Sequence, residues 1–512
     1  MYYITTPLPY VNGQPHLGHL LEHVFTDTIR RYRERTQTQE VRLQYGADQH
    51  GLKVLQKAQE LKIEPSIFVK EKAQLFQSIW DKYNCKSDVF IETSSDNHKI
   101  LCQMVFKTLL KKSYIYQKSY KGLYCIGCED FYAPSQLTQD GCCPVHYVKP
   151  VETEEENYFF ALSKFEEPIK EYLNTANIKP KEESGQWLNF MAEGLQDMSM
   201  SREKARMPWG IQMPLADGSD SNQVMYVWFE ALQNYWTALI NPETFDKWRE
   251  MPELRTVVEE EIIAELVENL PVDFMYLGKD IAKFHLIVWI GLHIAMGFEL
   301  PEYLPQNALV HGFINDSRGR KFSKSLNNGT APEDLFEEFG VDGTRFVMLH
   351  EVNVFGDTNF DLAHIRDSYN SNLADNLGNV VMRVSTLIEK YFAEDLEFDL
   401  NNFEMADLDV NLVEVYRQLE DFNPQKAMQE LFAQSRKINE YLEITKPWTL
   451  AKDMDNNRSK IKSILGQSAV ALLEIGKALS IFLPESGAKI VDTFQATKIT
   501  KAEVLFQKIE IK

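Results

Sequence analysis

Cysteine is scarce, six residues in 512, which excludes a disulfide-built scaffold. No apolar run approaches the roughly 20 residues needed to span a bilayer. The opening stretch MYYITTPLPYVNG lacks the basic n-region and long apolar segment of a secretory signal, so a soluble cytoplasmic protein with no membrane attachment is the expectation. Positive charge is in deficit: 54 Lys and Arg stand against 75 Asp and Glu, a net charge of −21. That balance excludes a general nucleic-acid coat, which must neutralise phosphates, and leaves room for local basic sites on an acidic body. Internal repeats and low-complexity tracts are missing as well. What is present is an ordinary globular composition, 44% hydrophobic and 25% charged, against disordered, collagen-like or coiled-coil classes. The length suggests about three domains.

The chain opens as strand, turn and helix. Residues 2–6 are β-prone, and residues 17–35 carry Leu17, Leu20, Leu21, Val24, Phe25 and Ile29 at helical spacing. Residues 41–45 alternate like a second strand, followed by Gly46-Ala47-Asp48-Gln49-His50-Gly51 and another helical stretch. Strands alternating with helices predict an α/β fold with a parallel sheet. From about 112 to 225 the pattern breaks into short strands with cysteines, glycines and prolines, as in an inserted module. Residues 223–229 and 274–277 are expected to resume the sheet. An acidic amphipathic segment within 242–271 reads as a solvated helical face. From about 366 onward the pattern is helical, an all-α domain.

Four cysteines fall within nineteen positions. Cys125-Ile-Gly-Cys128 and Cys143-Pro-Val-His146 form two chelating pairs. Each tight turn can present both of its ligands to one ion, and thiolate with imidazole suits tetrahedral Zn²⁺ at roughly 2.0–2.3 Å. The set Cys125, Cys128, Cys143 and His146 is a closed Cys₃His shell, a structural site with no open position for water. Cys142 is the alternative third ligand.

Pro15-His16-Leu17-Gly18-His19 lies where the first strand gives way to the first helix. Free N–H groups and the helix dipole favour an anion there, two imidazoles can face it, and Gly18 permits close approach. Far downstream stands Arg320-Lys321-Phe322-Ser323-Lys324-Ser325. Taken together and in this order, the two segments resemble the HIGH and KMSKS signatures of class I aminoacyl-tRNA synthetases. More closely, the sequence resembles the methionyl-tRNA synthetase family. The marks are Pro7-Leu8-Pro9-Tyr10-Val-Asn12-Gly13, Gly46-Ala-Asp48-Gln-His50-Gly51, the cysteine knuckle with Glu129 after it and Glu155-Glu156-Asn157-Tyr158-Phe159-Phe160. Further marks are Ser199-Met-Ser201-Arg202, Tyr226-Val-Trp228-Phe-Glu230-Ala231-Leu-Gln-Asn234-Tyr235, Gly278-Lys-Asp280-Ile281-Ala-Lys-Phe-His285 and Lys446-Pro447-Trp448.

The resemblance implies a Rossmann-like catalytic domain over 1–111 and 223–310, split by a connective zinc-knuckle insertion over 112–222. It further implies a KFSKS loop and stem-contact region over 311–365, then a helical anticodon-binding domain over 366–512. Leu8, Tyr10, Asp48, Trp228, Ala231, Tyr235, Ile281 and His285 would form the methionine pocket, with the Asp48 carboxylate on the α-ammonium. His16, Gly18, His19, Asp280, Lys321, Ser323 and Lys324 would bind ATP, His16, His19, Lys321 and Lys324 doing the catalytic work, with Mg²⁺ accompanying the nucleotide. The partner would be tRNA(Met), including the initiator, its CAU anticodon read by Trp448 and Asn372. For Trp448 a core anchor at a helix end is the other reading. Without a dimerisation appendix, a monomer is expected.

Phe322 departs from the family's usual methionine, Glu230 from its usual aspartate, and 242–271 is longer than the norm. Leucine, isoleucine and valine enzymes share both signatures but carry an editing domain too large for this insertion. An RNA-binding paralogue without catalysis would show damaged signatures, whereas His16, His19, Lys321 and Lys324 are all present. A zinc hydrolase would need an open coordination position.

Overall fold

The computed structural model describes residues 1–125, 130–132, 134–144, 147–214, 220–250, 259–298, 301–320, 322, 330–393 and 398–510. The chain forms two compact units: Met1–Pro15, Gln39–Ile79 and Lys86–Val310 in the first, and His16–Thr38, Trp80–Cys85 and His311–Lys512 in the second.

The first unit is built on a six-stranded sheet. Its strands are β1 (Tyr2–Thr5), β2 (Val41–Ala47), β3 (Val89–Glu92), β4 (Asn177–Lys179), β5 (Phe274–Gly278) and β6 (Asn307–His311), in the order β3-β2-β1-β5-β6-β4. The pairings β3–β2, β2–β1, β1–β5 and β6–β4 are parallel, with Ile4 opposite both Leu43 and Phe274. β1 and β5 are buried along their whole length, because a central parallel strand is covered on both faces and therefore reads as a continuous apolar run. The chain steps outward from β1 to β3 on one side and resumes on the other side with β5. The sheet therefore has a topological switch point between β1 and β5, the place where open α/β sheets bind ligands beyond their strand C-termini.

Two expectations need correction. Residues 223–229 do not rejoin the parallel sheet: Gln223, Val224 and Met225 pair antiparallel with Glu203, Arg202 and Ser201 in a separate three-stranded sheet. The chain then enters the short helix Val227–Ala231. The buried residues Tyr226, Phe229, Glu230 and Gln233 recur at helical spacing, and that period governs once tertiary burial is counted. The inserted stretch is also not wholly separate, since β4 lies inside it and forms the edge of the main sheet beside β6. The rest includes a four-stranded antiparallel sheet of residues 130–132, 115–125, 151–160 and 198–199. In the acidic segment, helix Glu259–Val267 buries Ile262 and Leu266 while Glu260 and Glu268 are exposed.

The second unit contains α1 (Leu17–Thr36), a parallel strand pair Ile314–Asp316 with Thr358–Phe360, and a long helical region that includes Pro424–Thr445, Met454–Leu479 and Pro484–Gln495. Its centre is Arg345, wholly buried, paired with Asp27 of α1 at 2.8 Å and donating to the Phe482 carbonyl at 2.7 Å. A buried cation is tolerated only where a carboxylate and carbonyls satisfy it in this way. No helix among the described residues is long and apolar enough to cross a membrane.

Candidate active site

Three adjacent strands carry the residues expected to hold an amino acid. Leu8 and Tyr10 follow β1, Asp48 follows β2, and Asp280, Ile281 and His285 follow β5. The loops after β1 and β2 are tied by a parallel bridge between Tyr10 and Asp48, with the Val11 amide donating to the Asp48 carbonyl at 3.1 Å and the Asp48 amide to the Pro9 carbonyl at 3.0 Å. Gly46 makes this approach possible. A Cβ there would lie 2.2 Å from the Ile91 carbonyl oxygen and 2.6 Å from the Leu8 side chain.

The aromatic residues expected around the amino acid contact one another. The Trp228 ring lies flat on Phe284 at 4.0 Å and edge-on to His285. Buried His285 donates from Nδ1 to the Ile281 carbonyl at 3.0 Å, so its Nε2 accepts the Tyr235 hydroxyl proton at 2.7 Å. Burial pushes the His285 imidazole down to about 4, so the ring is neutral at physiological pH. Ala231 is buried, Trp228 and Ile281 are half-buried, and Asp280 is exposed.

The signature histidines lie in the second unit at the start of α1. Instead of both pointing outward, the His16 and His19 rings stack at 3.6 Å. Each caps the other: the His19 amide donates to His16 Nδ1 and the His16 amide to His19 Nδ1, both at 3.4 Å. Gly18 accommodates this fold-back, because a Cβ there would meet the His16 ring at 3.0 Å. Burial, then the charges of His16, His23 and His311, hold the His19 imidazole well below its ordinary range. Lys321, Ser323 and Lys324 lie outside the described residues; Phe322 is half-buried, with its ring edge-on to Phe360.

In the cysteine module, Cys128 and His146 lie outside the described residues. Cys125, at the end of strand Ile115–Cys125, and Cys143 are buried, whereas Cys142 is partly exposed with its sulfur 3.9 Å from the Asp140 carbonyl. Of the two candidates for the third ligand, Cys143 is the more buried. In the helical region, half-buried Trp448 follows Lys446, whose left-handed φ of 46° ends helix Pro424–Thr445, and the Arg383 guanidinium lies 4.3 Å over its ring. Asn372 is half-buried and donates to the Ser368 carbonyl at 3.0 Å.

Sequence reasoning missed the partners beneath these residues. Phe284 supports Trp228, and the Trp209 indole donates to the Gln49 carbonyl at 2.7 Å. It also missed a second group able to surround an ion: His98, Cys102 and Glu230, all buried, with ligand atoms within 4.8 Å of one another. The four-residue spacing of His98 and Cys102 on helix Asp96–Lys111 was the available signal, but Glu230 reaches them only through tertiary folding.

A parallel sheet interrupted by an insertion, followed in sequence after its first strand by a histidine-capped helix, is the arrangement expected of a class I aminoacyl-tRNA synthetase. The family model described as tRNA synthetases class I (M) matches residues 2–149 and 138–385. The methionine–tRNA ligase of Clostridium acetobutylicum is 32% identical over 541 aligned positions, covering 100% of this chain and 78% of that protein. That of Mycoplasma genitalium is 33% identical over 88% of this chain and 85% of its own length. Among solved structures, the Mycobacterium tuberculosis methionyl-tRNA synthetase bound by methionyl-adenylate matches with a TM-score of 0.86 at 26% identity, covering 99% of this chain and 100% of that one. The chain belongs to the methionyl-tRNA synthetase family.

Proposed function

We infer that this chain activates L-methionine with ATP to methionyl-adenylate and pyrophosphate, then esterifies the methionyl group to the 3′-terminal adenosine of tRNA(Met), the initiator included. The observation that supports the reading is that Leu8 and Tyr10, Asp48, and Ile281 follow the C-terminal ends of β1, β2 and β5, three neighbouring strands of which β1 and β5 flank the switch point, with His285 on the helix after β5. Asp48 receives the α-ammonium. Trp228, Ala231, Tyr235, Ile281 and His285 take the side chain, and an unbranched thioether adapts well to an aromatic slot. The Tyr235 proton is committed to His285, so an apolar side chain does not strand that donor.

By the family resemblance, ATP comes with its Mg²⁺, Asp280 serves its ribose, and His16, Gly18 and His19 serve its phosphates. The two caps of α1 are long, at 3.4 Å, and an arriving phosphate replaces them at small cost because the helix N-terminus already favours an anion. His19 stays neutral and donates hydrogen bonds; Lys321 and Lys324, with Ser323, supply the positive field for the departing pyrophosphate. The methionine carboxylate attacks the α-phosphorus, a step driven by alignment and stabilisation of transition-state charge. Zinc, held by Cys125, Cys128, Cys143 and His146, would tie the turns of the inserted module together and take no part in the chemistry. Trp448 and Asn372 face the anticodon, and the enzyme works as a cytoplasmic monomer.

The test is ATP–pyrophosphate exchange with each of the standard amino acids. Exchange with methionine alone is expected; exchange with none, or with another amino acid best, overturns the reading.

A further inference from the structure

Glu230 is a carboxylate with no exposed surface. A carboxylate there is costly unless its oxygens are satisfied, and both are. Oε1 accepts from His50 Nδ1 at 3.0 Å and Oε2 from His98 Nε2 at 2.9 Å. His98 is fixed in turn through Nδ1 to the Thr237 hydroxyl at 2.8 Å, and the Cys102 thiol lies 3.4 Å from His98 Nε2. Burial pushes the Glu230 carboxyl up, but His50 and His98 outweigh it and hold the group below its ordinary range. Burial and the charge of Glu230 push the Cys102 thiol well up. Both carboxylate oxygens of Glu230 thus have an imidazole partner.

The positions of these groups along the chain show what the cluster joins. His50 is two residues beyond Asp48. Glu230 sits between Trp228 and Ala231 on helix Val227–Ala231. The bond between them therefore spans from the loop assigned to the α-ammonium to the helix assigned to the side chain. The loop is braced from other directions too: Trp209 donates to the Gln49 carbonyl and packs on the His50 ring, and the Gln49 side chain accepts from the Ser94 hydroxyl at 2.6 Å. The next short helix, Asn234–Thr237, is anchored separately, with Gln44 donating to Asn234 at 2.7 Å and the Tyr3 hydroxyl to the Tyr235 carbonyl at 3.0 Å. Only Glu230, among these ties, reaches across from one assigned wall of the pocket to the other.

We propose that Glu230 is a positioning residue for amino-acid recognition: by gripping His50 and His98 it sets the separation between Asp48 and the Trp228–Ala231 wall. This inference rests on the assignment of the methionine pocket above. Glu230 touches no reacting atom, so its effect is on binding shared by ground and transition states, which appears in KM rather than kcat.

Two variants test it in the full-length protein, by ATP–pyrophosphate exchange. Glu230→Gln sets an amide N–H₂ against an imidazole N–H on one side, and is expected to raise KM for methionine about tenfold, with kcat and KM for ATP within about twofold. Glu230→Asp keeps the charge but is one methylene too short to reach both rings, and is expected to restore part of the loss, to about threefold. Zinc content is measured on all three proteins and is expected not to change. Unmoved methionine KM in both variants, an equal rise in KM for ATP, or a fall in kcat alone overturns the inference. Loss of a zinc ion in the variants overturns it as well, by making the cluster a metal site. Failure of Glu230→Gln to fold, with Glu230→Asp folded and unmoved in KM, assigns the residue to stability alone and also overturns it. If the unmodified protein gives no exchange with methionine, it is the pocket assignment that fails; normal exchange there with unmoved variants removes this inference only.

Discussion

At the residue scale, burial keeps several imidazoles neutral. His285 is held at about 4 and His23 and His293 at about 3 by burial, against 6.5 when free. Between those values the unfolded chain binds protons that the folded chain refuses, so their stabilising contribution is complete above 6.5 and is lost as pH falls toward 4 and 3. Thermal melts from pH 7 down to about pH 4 should show a falling midpoint. His293→Phe should flatten that slope while costing roughly 1–3 kcal/mol at neutral pH, because the Trp236 indole loses its acceptor. A slope that does not change would remove His293 from the account. Lys324→Ala addresses the chemistry directly: adenylate formation should drop by about 100-fold or more, with methionine affinity measured by equilibrium dialysis within about twofold. Equal loss of both would argue against a role at the pyrophosphate. The identities of these side chains were legible in the sequence, as was their order. Their protonation states were not, since those depend on which groups desolvate them.

At the scale of elements, α1 was readable from apolar spacing and its histidine-rich start, and it runs over Leu17–Thr36. The stacked, mutually capping histidines were not readable, because the sequence shows two rings near a helix start and not their rotamers. Residues 223–229 show the opposite failure. A β-prone composition suggested one strand returning to the parallel sheet, but the segment divides into an antiparallel strand and a helix. Pairing partners from 201–203 and 212–214 decide that, and strand propensity says nothing about partners. The short helix carrying Trp448 is a natural test of element-level function. Trp448→Ala should lower tRNA charging by about 10-fold or more, as expected for a base-stacking side chain, while leaving ATP–pyrophosphate exchange within about twofold. Its partial exposure and the Arg383 cation over its ring speak against a pure core anchor; unfolding of the variant would restore that reading.

For the whole molecule, the charge of −21 bears on how an acidic protein engages an acidic polymer. Bulk attraction is unavailable, so contacts must be confined to local basic sites such as Arg436, Lys437, Lys446, Lys452, Arg458, Lys460 and Lys462, together with Lys321 and Lys324. Lys437 already pairs with Asp409 at 3.3 Å, which reduces what it can offer. Raising salt should therefore weaken tRNA charging steeply, through counterion release, with little effect on adenylate formation. Equal sensitivity of the two reactions would place the salt effect elsewhere. A zinc assay of the purified protein, expected to give one ion per chain, checks the cysteine module; a metal-free, fully folded sample would exclude it.

By itself the sequence determined the alternating strand–helix class, the helical C-terminal region, the signature motifs and the side chains proposed around methionine. These follow from local periodicity and from residue types whose chemistry does not depend on partners. Only the tertiary structure decided the strand order with its switch point between β1 and β5, the recruitment of Asn177–Lys179 from the insertion to the sheet edge, and the meeting of Glu230 with His50 and His98. Each of these joins segments far apart in the chain. Their pairing is set by which buried polar groups and sheet edges can satisfy one another in space, which no local pattern records.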